Sequence, residues 1–245
     1  MLFRSKLKPG SLFNFLQEAA SAQASQLGFG YEQMLRMGTY WVLARLHLKI
    51  DRWPNMDEDV FVTTWPKTFF QLYALRDFEI TDSKNQCVGK ATSAWLVLDS
   101  KTLRPKRPES VEFTYDRLES KNAIAEPPGR IEFIGEGEFL GSRTAVYTDI
   151  DINQHVNNSR YIDWAFDAID PGFLKHNQLL EIQVNYLQQT RIGQSLDFYL
   201  HHLNGNKIFG IDAGIKENPK KTVTFQLNFK SRSEERRVGK ECRSR

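Results

Sequence analysis

Residues 11–28 read SLFNFLQEAASAQASQLG, and this stretch sets a pattern that the chain later repeats. Phe13, Leu16, Ala20, Ala24 and Leu27 recur at three- and four-residue intervals up to Gly28, with Leu12 and Ala19 widening the stripe. That spacing predicts a helix with one apolar face, and Ser11 is the expected N-cap. Beyond a short helical stretch at Tyr31–Met37 the pattern changes to strands: Trp41–Ile50, Val60–Trp65, Leu72–Ile80 and Cys87–Leu98. Pro54 to Asp59 and Asp82-Ser83-Lys84-Asn85 supply turns between them. The first hundred residues thus read as one main helix followed by an antiparallel meander.

Asp99 to Pro128 carries Pro105, Pro108, Pro127 and Pro128 with little periodicity, and is expected to be a crossing between domains. The order then restarts with a strand at Phe139–Thr148, a polar segment at Asp149–Asn158 and a helix at Ser159–Ile169 ended by Pro171-Gly172. Strands follow at Glu181–Thr190, Leu196–Leu203, Lys207–Lys216 and Thr222–Phe229. Ile50–Trp65 and Leu187–His202 have the same strand-turn-strand spacing, which implies an internal duplication. The predicted class is α+β: two tandem helix-wrapped antiparallel sheets, a double hotdog. Expected boundaries are 1–100 for the first domain, 101–137 for the linker, 138–230 for the second domain and 231–245 for a disordered tail of vector origin. A parallel βαβ sheet is the competitor, and the short turns between successive strands argue against it.

Composition narrows the function classes. With 40% hydrophobic and 26% charged residues, the 245-residue chain is ordinary globular protein rather than disordered. The formal charge of +3 would invite a nucleic-acid reading. However, the last fifteen residues carry six Lys or Arg against three acidic residues, which leaves 27 of each sign in the body. No nucleic-acid partner is expected. No uninterrupted apolar run of about 18 residues occurs, so no membrane span is expected. The N-terminal MLFRSKLKPG lacks the apolar stretch of a secretory signal, which places the chain in the cytoplasm. Cys87 and Cys242 have no metal-ligand spacing, so neither metal nor cofactor is expected, and Cys87 reads as a small strand hydrophobe. Glycine-rich phosphate loops, G-x-S-x-G and H-E-x-x-H are absent from the sequence.

The densest polar cluster spans Tyr147 to Asn158. Asp149, Asp151, Asn153 and His155 are spaced by two, so an extended backbone would project them to one face while Ile150, Ile152 and Val156 anchor the other. Such a face would combine a base, an amide donor and an orienting carboxylate. Asn157, Asn158 and Ser159 are all capable caps, so the next helix is expected to present N–H groups near that face, where they could hold an oxyanion or a substrate oxygen. A lone His in polar surroundings is more often a turn residue, and Asp-x-Asp-x-Asn is equally compatible with Asx-turn chemistry or a weak calcium loop. The EF-hand spacing, with its Gly and terminal Glu, is missing.

The stretch TDIDINQHVNNSRYIDW, residues 148–164, is similar to the signature of plant and bacterial acyl-acyl-carrier-protein thioesterases. GFGYEQMLRMGTYWVLARLHLKIDRWP (28–54), ALRDFEITD (74–82) and GKATSAWLVLD (89–99) resemble the N-terminal half of that family. The resemblance covers nearly all of Ser11 to Lys230. It implies a double hotdog that hydrolyses a fatty acyl thioester on acyl carrier protein, with Asp151, Asn153 and His155 matching the family's Asp, Asn and His. Gln189 and Thr190 stand where plant members carry Glu and Cys. Gln cannot take a proton but can still orient water or the imidazole, which would shift weight to Asp151 or Asp149. The strand preceding the first helix is expected to be shortened in Met1–Lys8, and Arg4 to Gly10 has no D-x-N-x-H, so one site per chain is expected. Phe13, Leu16, Tyr40, Trp41 and Trp65 are candidates for the acyl-chain pocket, with plain core packing as the alternative for each. Lys101, Arg104, Lys106 and Arg107 are candidates for docking an acidic carrier, against a solvated linker face. An acyl-CoA thioesterase and a non-hydrolytic acyl-binding hotdog are the rival functions, and the oligomeric state, a homodimer included, is open.

Overall fold

The computed structural model describes residues 6–111, 117, 118, 120–204, 207–216, 218 and 220–232. The expected tail from Ser233 onward, Cys242 and residues 1–5 lie outside the described residues. The chain divides into two compact units, the first running to Arg130 and the second beginning at Ile131.

In the first unit α1 (Pro9–Gln26) and α2 (Tyr31–Arg36) precede β1 (Thr39–Ile50), β2 (Val60–Phe70), β3 (Tyr73–Asp82) and β4 (Cys87–Asp99). β1 pairs β4, β4 pairs β3 and β3 pairs β2, all antiparallel. Ser11 is not the cap of α1. The helix starts three residues earlier, with Lys8 at the N-cap and Pro9 in its first turn, because a ring-fixed φ and a missing N–H cost nothing there. Leu12, Phe13, Leu16, Ala20 and Ala24 form its buried face, as the periodicity predicts. Gln23 fastens that face to the sheet by donating from Nε2 to the Thr64 carbonyl at 2.6 Å. Lys6 bridges Asn55 and the Leu7 N–H reaches the Pro54 carbonyl at 3.0 Å, so the described residues ahead of α1 hold only a stub of sheet contact. Cys87 is exposed at the start of β4 rather than packed as a strand hydrophobe.

The segment read from sequence as a crossing begins as part of this unit. A short β5 (Pro105–Lys106) folds back onto β4. Further along, residues 121–125 are strapped to the sheet by polar contacts. The Ala123 N–H donates to Asp77 Oδ2 at 2.7 Å, Lys67 Nζ to the Ile124 carbonyl at 2.6 Å and Trp65 Nε1 to the Lys121 carbonyl at 3.1 Å. Its pattern is aperiodic because its backbone groups are satisfied by side chains rather than by a ladder.

In the second unit β6 (Glu138–Thr144), α3 (Asn158–Asp167) and α4 (Pro171–His176) precede β7 (Asn177–Tyr186), β8 (Ser195–Asn204), β9 (Ile208–Ile215) and β10 (Lys221–Ser231). β7 pairs β10, β10 pairs β9 and β9 pairs β8, again antiparallel, with β6 added outside β8. The first strand after the helices pairs the last, and the order then runs backwards, as in the first unit. That repeated order is the duplication inferred from spacing, and every pairing described within the two units is antiparallel. Tyr161 of α3 faces Tyr186 of β7 at 6.0 Å and Phe166 faces Phe229 of β10 at 6.3 Å, which seats the helix on its sheet. Pro171-Gly172 does not merely end a helix. Asp170 caps α4 by accepting the Phe173 N–H at 2.6 Å, and Pro171 occupies its first turn. β7 begins four residues before its expected start and stops at Tyr186, because the Leu187 and Gln188 N–H groups both turn to the Thr222 carbonyl, at 2.8 and 3.1 Å.

Candidate active site

The polar segment is not an extended strand. Tyr147–Asp149 forms a single 3-10 turn, and residues 150–156 fold into a tight hairpin closed by an antiparallel bridge between Ile150 and Val156. The Asp151 N–H donates to the His155 carbonyl at 2.8 Å and the Gln154 N–H to the Asp151 carbonyl at 3.0 Å. Gln154 takes φ +63°, the left-handed value needed to reverse the chain. Asp151 Oδ1 accepts the Asn153 N–H at 2.8 Å and, more weakly, that of His155 at 3.4 Å. The Asx-turn chemistry weighed from sequence is therefore what builds the loop, and it brings Asp151 and His155 together by turning rather than by alternation. Ile152 is 83% exposed at the tip, so it anchors nothing, whereas Val156 is buried.

Asp149 is separated from the other three. It is 1% exposed, its Oδ2 accepts the Val146 N–H at 3.0 Å, and its Oδ1 takes Arg160 Nε at 3.0 Å. Its carbonyl also holds the Asn157 N–H at 2.8 Å. With both oxygens committed, Asp149 holds the loop to α3 and is not free to act as a base. Asn157 likewise serves the helix, since its Oδ1 accepts both the N–H and the hydroxyl of Ser159 at 2.9 Å and its carbonyl accepts the Arg160 N–H at 2.9 Å. Asn157 Oδ1 is thus committed to the cap of α3, and the Ser159 and Arg160 N–H groups at this helix end are taken by Asn157. The Asn158 carbonyl accepts the Tyr186 hydroxyl at 3.0 Å. The exposed Asn153 amide remains as a donor on the loop.

His155 is half-buried, and of its two ring nitrogens Nδ1 is the enclosed one. Burial lowers its pKa below the ordinary imidazole value. The Asp151 charge opposes that shift and Arg191 adds to it. A neutral imidazole at pH 7 is the form a general base requires. Gln189 is exposed and makes no hydrogen bond to His155 or Asp151 among the described residues. Its neighbour Thr190 is fully buried and its carbonyl receives the Val156 N–H at 2.8 Å. Three enclosed polar atoms lie without a hydrogen-bond partner in this part of the unit: His155 Nδ1, Tyr161 Oη and Thr190 Oγ1. Each costs about 1–3 kcal/mol if left so. Sequence reading missed Arg160, Tyr161 and Arg191. Arg160 and Tyr161 occupy helix positions where charge and aromatics are ordinary, so nothing marked them out.

Of the pocket candidates, Phe13, Leu16 and Trp65 are buried core residues of the first unit, and Tyr40 and Trp41 are half-buried. The indole of Trp65 is pinned to the Lys121 carbonyl and that of Trp41 to the Phe29 carbonyl at 2.9 Å. Burial pushes the Tyr40 phenol up. Lys101 and Arg104 are exposed on the β4–β5 turn and Arg107 just beyond β5, while Lys106 is paired with Asp99 at 3.0 Å. No helix among the described residues is long and apolar enough to cross a membrane, and no described group of His, Cys, Asp or Glu has metal-site geometry.

The repeated helix-and-sheet unit and the carboxylate–imidazole loop define a tandem hotdog protein with a polar site on its second repeat. Residues 3–112 match the acyl-ACP thioesterase N-terminal domain and residues 140–240 the acyl-ACP thioesterase C-terminal domain; the chain belongs to the acyl-ACP thioesterase family. It is similar to the crystal structure of an acyl-ACP thioesterase from Bacteroides thetaiotaomicron, with TM-score 0.83 and 25% identity over 94% of this chain and 93% of that one. The 12:0-ACP thioesterase from Umbellularia californica shares the fold, with TM-score 0.78 and 19% identity over 93% and 92% of the two chains. The chloroplastic oleoyl-acyl carrier protein thioesterase of Coriandrum sativum is 28% identical over 76% of this chain and 55% of its own length. The chain spans about half the length of the curated relatives it matches.

Proposed function

We propose that the chain hydrolyses the thioester of a fatty acyl group carried on acyl carrier protein, releasing free fatty acid. The observation that carries this reading is the half-buried imidazole of His155 held beside Asp151 on a tight loop, in a chain of this family. Water attacks the thioester carbonyl carbon as His155 takes its proton, and Asn153 donates to the oxyanion that forms. Collapse of the tetrahedral intermediate breaks the C–S bond, and the proton on His155 passes to the departing thiolate. Asp151 fixes the loop through its bonds to the Asn153 and His155 N–H groups and stabilises the imidazolium by charge. Tyr40 and Trp41, half-open, are the candidates for contact with the acyl chain, while Phe13, Leu16 and Trp65 are buried in the core of the first unit. Assay of the purified chain on acyl-ACP beside acyl-CoA, with the fatty acid product identified, tests the reading. Hydrolysis of acyl-CoA alone would reassign the carrier, and hydrolysis of neither would make this a binding protein.

The carrier is proposed to dock on the basic β4–β5 turn. Reversing Lys101, Arg104 and Arg107 to Glu should raise KM for acyl-ACP several-fold, more at low salt than at high, with a short soluble thioester unaffected. Lys106 is left unchanged because it closes the turn through Asp99. Equal effects on both substrates would remove this turn from carrier recognition.

A further inference from the structure

We propose that Tyr161 and Thr190 are positioning residues: their buried hydroxyls accept the Nδ1–H of His155, directly or across one enclosed water, and hold the imidazole in the tautomer whose Nε2 is free to act as base. This inference rests on the hydrolase reading and extends it to residues whose roles that reading leaves unassigned. Tyr161 is 2% and Thr190 0% exposed, and neither hydroxyl has a partner at hydrogen-bonding geometry. The same is true of the enclosed Nδ1 of His155. The three belong to one region, because the Val156 N–H, next in chain to His155, is bonded to the Thr190 carbonyl at 2.8 Å. Tyr161 also senses Thr190 and the Asp151 charge. Burial pushes its phenol up to about 12, the Thr190 hydroxyl and backbone oppose that shift, and the Asp151 charge adds to it.

Buried polar atoms in native proteins find protein or water partners, so these three enclosed atoms each call for one. The chemistry limits the roles. A neutral imidazole acting as base through Nε2 must carry its proton on Nδ1, and that N–H needs an acceptor. Gln189 is exposed and makes no hydrogen bond to His155, so the side chain at that position does not supply it. A hydroxyl can. One hydroxyl can accept the Nδ1–H while donating its own hydrogen bond to the other, or both can engage a bridging water. The ring of Tyr161 is separately anchored against Trp164 at 5.5 Å and Tyr186 at 6.0 Å, so removing only its oxygen leaves the packing in place.

The test uses the full chain labelled with 15N-histidine, with the His155 signals identified among the five histidines by their loss in His155→Ala. Long-range 1H–15N correlation at pH 8 should show His155 as the Nδ1–H tautomer. In Tyr161→Phe with Thr190→Val the tautomers should mix, and kcat should fall on the order of 10- to 100-fold with KM within twofold. Thr190→Ser, which keeps a hydroxyl, should preserve both the tautomer and most of kcat. If the double variant does not fold, Tyr161→Phe and Thr190→Val are read singly, each with a smaller change in the same direction. An Nε2–H tautomer in the unmodified chain, or an unchanged tautomer and kcat in the folded variants, overturns the proposal. The spectrum needs no substrate. A chain inactive on acyl-ACP whose His155 tautomer still responds to the hydroxyls would refute the hydrolase reading and leave the positioning role standing.

Discussion

Replacing His155 by Ala is expected to lower kcat on acyl-ACP by three or more orders of magnitude while circular dichroism and the melting temperature stay near those of the parent. The ring is only half-buried, so its loss removes little packing. What it removes is the proton acceptor, and general-base catalysis typically contributes on the order of 10²–10⁴ in rate. Asp151→Ala should cost as much, by a different route, since its carboxylate organises the loop through the Asn153 N–H at 2.8 Å and supplies charge to the imidazolium. Asn153→Ala should cost less, on the order of 100-fold, as for one oxyanion donor. The pH profile separates the routes. The neutral imidazole is the active form, so activity is lost as pH falls through the His155 pKa, which burial holds below the ordinary value. Arg191→Ala removes a positive charge that lowers this pKa and should move the acid limb upward, whereas Asp151→Asn removes the charge that raises it and should move any residual limb downward. Full turnover by His155→Ala would transfer the base role to another group.

The fold was legible where periodicity is governed by burial. The α1 stripe and the antiparallel meander of each half follow from which side chains must face a core, and the repeat of strand order follows from the repeat of spacing. The site was legible as a set of residues but not as a geometry. A spacing of two predicts a shared face only if the backbone is extended, and here Asp151 bonds its own downstream N–H groups and bends the chain at Gln154 instead. The same competition between side chain and ladder took Asn157 for the cap of α3 and Asp149 for Arg160. Single-residue reasoning cannot see such partners because they arrive from other elements. Tyr161 was hidden for a related reason: an aromatic residue on a helix looks like core until its hydroxyl is found enclosed without a hydrogen-bond partner.

Residues 121–125 were the least legible, for their place depends on two buried charges that sequence cannot pair. Lys67 is 4% and Asp77 0% exposed, with Nζ 3.4 Å from Oδ2. Each is further committed, Lys67 to the Ile124 and Ala125 carbonyls and Asp77 to the Thr92 hydroxyl at 2.5 Å and the Ala123 N–H at 2.7 Å. Lys67→Met should therefore destabilise the chain by about 3–5 kcal/mol at neutral pH, because removing one partner of a buried pair strands the other as an unsolvated charge. The sign of its pH dependence follows from Asp77, whose pKa burial raises even with Lys67 present. Without the ammonium that pKa rises further, so the folded variant binds a proton that the unfolded chain releases. The stability lost at neutral pH is then recovered as pH falls through the raised value, a window in which an exposed carboxylate would give no such gain. Adding Asp77→Asn to Lys67→Met removes the stranded charge while keeping an acceptor for the Ala123 N–H, and should restore all but about 1–2 kcal/mol at every pH. Urea unfolding of the three variants at pH 5 and pH 8 measures both effects. A Lys67→Met chain as stable as the parent at pH 8 would show that Asp77 is held by Thr92 and Ala123 alone and that the ion pair contributes nothing to the strap.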